Sequence, residues 1–157
     1  MRAILIALLP LGAQAACPQE TYLSCPLEGG KYLEVCISGS RFTYDFGSQG
    51  APDLSLAVAM AAGTVTPWPG FGRSIWASVG FPNDDFTYEV WASVDRDPEA
   101  IDPSGGVNVL RGEEMIAQFT CRPGTVTAPA FVLEDAMAAQ GFCWDFSTRT
   151  WAEGACG

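Results

Sequence analysis

The feature that most constrains this chain is a pair of long alternating segments that meet at a tight polar turn. Ile75, Ala77, Val79 and Phe81 take every second position of the first, and Phe86, Tyr88, Val90, Ala92 and Val94 do so in the second. Pro82-Asn83-Asp84-Asp85 lies between them. Side chains on a strand point alternately to opposite faces, so the pattern calls for an antiparallel pair with one face buried. A helix would scatter the same residues around its whole surface. A lone hairpin is marginal in water and needs further strands to cover its apolar face.

Those strands are legible on both sides. Residues 21–25, 31–37, 41–46, 53–58, 107–110 and 115–121 are apolar or alternating stretches set between Gly, Ser, Asn and Asp turns. Phe42, Tyr44 and Phe46 share one face, as do Leu54, Leu56 and Val58. The run 59–63 is too small and apolar to divide between helix and strand. The stretch 66–72 holds two prolines and two glycines and must be irregular. One helix is expected over 129–140, with Pro129 in its first turn and Gly141 as its stop. The tail 142–156 reads as a small hairpin or loop held by a cysteine pair. The expected fold is mainly β: an antiparallel meander forming a barrel or sandwich of about eight strands, with one helix near the C-terminus.

The N-terminus is set apart from this pattern. Arg2 precedes the apolar run Ala3-Ile4-Leu5-Ile6-Ala7-Leu8-Leu9, and Ala13-Gln14-Ala15 supplies small residues for cleavage. Residues 1–16 therefore read as a signal peptide, leaving one domain over 17–157. The run is far shorter than the roughly 20 residues that span a bilayer. Ala15-Ala16-Cys17 also resembles the end of a lipobox, although Gln14 stands where that motif wants a Leu-type residue.

Six cysteines follow: Cys17, Cys25, Cys36, Cys121, Cys143 and Cys156. An even number behind an export signal indicates disulfides formed in an oxidising compartment, the periplasm or the exterior. No CxxC pair and no histidine is present, so the usual zinc spacings are missing. Six cysteines allow 15 connectivities. The expected pairs are Cys25–Cys36 across the first hairpin, Cys143–Cys156 in the tail, and Cys17–Cys121 by elimination.

Charge and chemistry narrow the function. With Arg2 set aside, seven basic residues face eighteen acidic ones. Such a surface repels phosphate backbones and anionic headgroups and attracts cationic partners. With no histidine, Ser-His-Asp and Cys-His catalysis is excluded. Acid–base chemistry would need carboxylates, of which Asp84, Asp85, Glu89, Asp95 and Asp97 are the candidates; solvated turns and strand edges are the plainer reading. The acidic stretch 95–102 offers carboxylates at alternate positions, yet Ala100 and Gly106 stand where an EF-hand needs its glycine and bidentate glutamate. An exposed loop is expected there, and no cofactor or metal is assigned.

The tryptophans suggest recognition instead. Trp76 and Trp91 fall opposite the main apolar faces of their strands, near Trp68 and Phe71 of the Pro/Gly stretch. With Asp95 and Asp97 they are the candidate binding residues. Either these aromatics form an exposed face for protein or carbohydrate, or the helix and tail cover them as a second small core. The covered arrangement is preferred here.

Three stretches together resemble an uncharacterised family of small exported, disulfide-containing proteobacterial proteins. They are Cys25-Pro-Leu-Glu-Gly-Gly-Lys-Tyr-Leu-Glu-Val-Cys36 with Tyr44-Asp-Phe-Gly47 and Pro52-Asp-Leu54, the hairpin 81–90, and Val107-Asn-Val-Leu110 leading to Cys121. The resemblance implies an envelope location and a Cys25–Cys36 disulfide, and it carries over no catalytic residue. The functional expectation is a non-catalytic protein-binding module. Its alternatives are an inhibitor of a cationic lysozyme-type enzyme and a carboxylate-based glycan-acting enzyme.

Overall fold

The computed structural model describes residues 17–100 and 102–154. The expected signal peptide lies outside the described residues, as do Ile101 and Cys156. Strands β1 (Glu20–Pro26), β2 (Tyr32–Ser38), β3 (Arg41–Ser48) and β4 (Ala51–Ala59) form one antiparallel sheet in that order. Strands β5 (Val65–Thr66), β6 (Ser74–Asn83), β7 (Phe86–Asp95), β8 (Ser104–Arg111) and β9 (Glu114–Thr120) form a second. Helix α1 (Val132–Ala139) follows, then a separate hairpin of β10 (Phe142–Asp145) and β11 (Thr150–Glu153). The three strands beyond the expected eight are short ones, β5, β10 and β11.

Both large sheets are meanders, because short turns leave each strand beside its neighbour in sequence. The sheets do not close into a barrel; they face each other as a sandwich across one core. Leu33, Val35, Phe42 and Tyr44 line that core from the first sheet, and Val79, Phe81, Val90 and Val107 from the second. The Tyr44 ring lies 5.3 Å from that of Phe81 and 5.6 Å from that of Tyr88, so the two faces interlock through aromatic pairs. Fully burying one such side chain contributes about 1.5–3 kcal/mol. Helix α1 adds Leu133 and Met137, both fully buried. Beside its start, the Tyr22 hydroxyl donates to the Ala77 carbonyl at 2.7 Å and ties β1 to β6.

The outer edge of β1 is covered rather than exposed. Ser24 and Thr127 exchange backbone hydrogen bonds of 2.9 and 3.0 Å, and Arg122 N–H donates to the Pro26 carbonyl at 2.9 Å. This return of the chain removes an edge that would otherwise invite pairing with another molecule. It also brings β8 close to β1. A Cβ on Gly105 would stand 2.8 Å from Cδ1 of Leu23, so any larger residue there would have to displace that buried side chain.

The disulfides differ from the expected pairing. Cys17 bonds Cys36 and Cys25 bonds Cys121. The register explains why Cys25 and Cys36 cannot meet. Cys25 lies opposite Leu33 and Cys36 opposite Thr21, and Leu33 and Cys36 are an odd number of residues apart on β2. Their side chains therefore point to opposite faces. Cys25 faces the core, where Cys121 meets it from the end of β9, whereas Cys36 faces outward under Cys17. Cys143 is also disulfide-bonded; the expected pair Cys143–Cys156 involves a residue outside those described.

Helix α1 is shorter than expected at its start. The chain stays extended through Thr127, where it pairs with Ser24, and Phe131 then takes a left-handed conformation (φ 64°) that bars helix before Val132. Pro129 thus lies ahead of the helix and not in its first turn. The stop is as expected, with Gly141 at φ 82° just past the C-cap. The ambiguous run 59–63 divides into the end of β4 and one 3-10 turn, Met60–Ala62.

Candidate functional site

The irregular stretch between β5 and β6 projects from the sandwich because its prolines and glycines cannot join a ladder. It is nevertheless fixed in place. The Trp68 indole N–H donates to the Phe71 carbonyl at 2.9 Å, and the Trp68 backbone N–H donates to Glu134 Oε1 at 3.3 Å. The β10–β11 hairpin packs beside it. Trp144 and Trp151 are cross-strand partners with rings 5.2 Å apart, edge to face, and the Trp151 indole donates to the Val65 carbonyl at 2.8 Å. The start of α1 completes the wall, with the Phe131 ring edge-on to Trp68 at 6.2 Å.

These elements enclose two adjoining clefts that share Pro67, Trp144 and Phe146. One, of about 240 Å³, also involves Trp68, Phe131, Glu134 and Trp151. The other, of about 360 Å³, also involves Phe71, Trp76 and Arg149. Phe71 is 72% exposed, Phe146 66%, Phe131 42% and Trp76 38%. The tail does reach this side of the molecule, and Trp151 and Phe142 pack against the main core. It walls a groove, however, and does not seal a second core.

The candidate residues separate accordingly. Trp68, Phe71 and Trp76 come together in the groove. Trp91 sits diagonally from Trp76 on the outer face of β6–β7 and is half-buried beside a polar row in which Ser78 and Asn108 donate to Glu89. It lines neither cleft. Asp95 pairs with Arg73 at 2.7 Å, and the hydrogen bond from Arg73 holds its carboxyl below the usual range. Asp97 accepts the Glu99 N–H at 3.0 Å in a turn. The acidic loop touches the groove through the residue between them: the Arg96 guanidinium lies 5.4 Å from the centre of the Trp68 ring and donates to the Gly72 carbonyl at 3.1 Å.

The carboxylates considered from sequence are spread along β7 and its two ends, with Glu89 on the strand accepting from Ser78 and Asn108. Asp84 and Asp85 lie at one end of β7 and Asp95 and Asp97 at the other, roughly 30 Å away at the usual rise per residue. A glycosidase pair needs its carboxyl groups within about 5–10 Å. In the loop after β7, Asp95 and Asp97 each accept a backbone N–H two residues on, and Asp95 also binds Arg73.

Trp144, Phe146 and Trp151 of the tail line the groove without having been among the sequence candidates, and Phe131, Glu134 and Arg149 escape the sequence reading as well. Phe131 and Arg149 are two of only three non-glycine residues with positive φ among those described, at 64° and 56°. Such conformations are uncommon outside glycine and cluster where a structure positions side chains for a purpose. Phe131 takes its conformation where the extended chain enters the helix, and Arg149 takes its own in the β10–β11 turn, where its N–H donates to the Asp145 carbonyl at 2.7 Å. Glu134 is recognisable only as an acidic residue in the first turn of a helix, where the dipole favours it. Its Oε2 is buried without a hydrogen-bond partner. Burial pushes its carboxyl above the usual range, against the opposing pull of its own backbone N–H and that of Trp68.

A second titratable pair lies away from the groove. Ser24, Glu34, Asp45 and Ser55 stand in register across the outer face of the first sheet, and the Ser55 hydroxyl donates to Asp45. Glu34 is buried, and its carboxyl is raised by that burial and by the charge of Asp45 directly opposite. Among the described residues, no helix is long and apolar enough to cross a membrane. Comparison with family models, curated proteins and solved structures finds no match to this chain.

Proposed function

We propose that the protein is an exported, non-catalytic module that binds a partner protein through the aromatic groove. The observation that carries this reading is the exposure of Phe71 and Phe146 on a scaffold that fixes everything around them. Large exposed apolar residues gathered in one place mark interaction sites, whereas singly scattered ones do not. Met115, Ile116 and Phe119 on β9 are also exposed. Phe119 is turned toward the first sheet, its ring 5.1 Å from that of Phe46, and a shift in the β8–β9 register separates it from Met115 and Ile116. The disulfides suit an oxidising compartment, in line with the apolar leader and the family resemblance. The excess of acidic residues favours a basic partner, and an inhibitor of a cationic lysozyme-type enzyme is one specific form of this reading.

The test is capture by the immobilised oxidised protein of a panel of basic secreted proteins, lysozymes included, with washes of rising salt. The expected result is a partner released between low and physiological salt, because screening weakens steering by an acidic surface. Replacing Phe71 and Phe146 together by Ala should abolish that capture while leaving the melting temperature within a degree or two. Capture that survives both the salt and the double substitution sinks the proposal.

A further inference from the structure

The smaller cleft carries a more specific reading, which rests on the proposal above. We infer that it receives one cationic side chain, an arginine or lysine of a basic partner protein, held against Trp68, Trp144 and Trp151 with Glu134 as the counter-charge. Size is the first argument. At about 240 Å³ the cleft falls below the roughly 300–1,000 Å³ of pockets that hold whole small molecules, so it fits one long side chain.

Chemistry is the second argument. Aromatic faces attract a cation through the ring quadrupole, and more strongly once water is excluded. The chain already shows the interaction on one of these rings, with Arg96 stacked on Trp68 at 5.4 Å. Glu134 is the one charged side chain in the lining, and its Oε1 accepts the Trp68 N–H at 3.3 Å. A carboxylate in the wall of an aromatic cleft adds a counter-charge to the attraction of the rings for a cation. The surplus of acidic over basic residues, 18 against 8, supplies long-range attraction for the same sign of charge. A carbohydrate would also stack on tryptophan, but it needs several hydrogen-bonding groups around the rings. Here the lining is aromatic and aliphatic apart from Glu134 and the disulfide-bonded Cys143.

The experiment uses the oxidised protein with three probes: a short Gly/Arg peptide, the same peptide with citrulline in place of arginine, and a chitin oligosaccharide. Binding is followed by the indole N–H resonances of Trp68, Trp144 and Trp151. The arginine peptide should shift these resonances and bind about tenfold more tightly than the neutral isostere, the factor that corresponds to about 1.4 kcal/mol of cation–π and charge interaction. Glu134→Gln should lose most of that advantage without lowering the melting temperature, and Trp144→Phe should lose only part of it. Equal affinity for arginine and citrulline, or indole shifts with the oligosaccharide alone, would overturn the inference. If Phe71→Ala with Phe146→Ala abolishes capture of a basic partner while Glu134→Gln leaves it unchanged, the binding groove stands and the cationic pocket does not.

Discussion

Phe81 and Phe71 are the same residue ten positions apart, on either side of the start of β6, and they have opposite fates. Phe81 is fully buried against Tyr44, whereas Phe71 is 72% exposed at the rim of the groove. The difference is one of backbone. On β6 the ladder with β7 fixes the register from Ser74 to Asn83, so every second side chain must face the other sheet. In the stretch before it, prolines and glycines exclude the ladder and nothing turns the side chain inward. Where the ladder turns an aromatic toward the facing sheet, as at Phe81, it joins the core; Phe71, outside any ladder, is left for something else to cover.

The strongest way to break the comparison is to cut the link between the sheets. Cys25 and Cys121 are 96 residues apart, and loop-closure entropy assigns such a bond about 4–5 kcal/mol, against about 3 kcal/mol for Cys17–Cys36 at a separation of 19. Replacing Cys25 and Cys121 by Ala should therefore lower the denaturant midpoint more than replacing Cys17 and Cys36. Reversed order would show that the denatured chain retains structure across the long loop.

Single aromatic truncations come next. Phe81→Ala should cost about 3–5 kcal/mol in urea unfolding through the cavity it leaves. Phe71→Ala should stay within about 0.5 kcal/mol, as exposed substitutions do. Similar losses at the two positions would erase the distinction drawn between core and groove. Trp151 lies between these extremes, because its ring joins the groove while its indole anchors the tail hairpin to Val65. Trp151→Phe should remove about 1 kcal/mol with that hydrogen bond, and partner affinity should fall with it.

The smallest effect has the opposite sign. Glu34 has a raised carboxyl pKa in the folded state, so its favourable contribution is complete in acid and is lost as pH rises through that value. Like charges directly opposite in a sheet cost about 0.2–1 kcal/mol. Glu34→Gln should accordingly stabilise the protein by about 0.5 kcal/mol at pH 7, and the gain should vanish below the usual carboxylate range, near pH 4. Melting curves of both proteins across that interval give the answer. A gain that persists in acid would mean that the carboxyl is not the cause.

Sequence alone determined the elements whose cause is local. The alternation from Ile75 to Val94 specified the central hairpin, Gly141 the helix stop, and the prolines and glycines of 66–72 the stretch that leaves the ladder. Each of these depends on the preferences of a residue and its near neighbours. The tertiary structure alone decided the disulfide partners, because the register of β1 on β2 turns Cys36 away from Cys25. It also decided where the helix begins, because pairing of Thr127 with Ser24 holds the chain extended into that region. The groove belongs to the same class. Trp68, Phe131 and Trp144 come from three separate segments, and only packing against the finished sandwich, a long-range event with no imprint in any one stretch of sequence, sets them side by side.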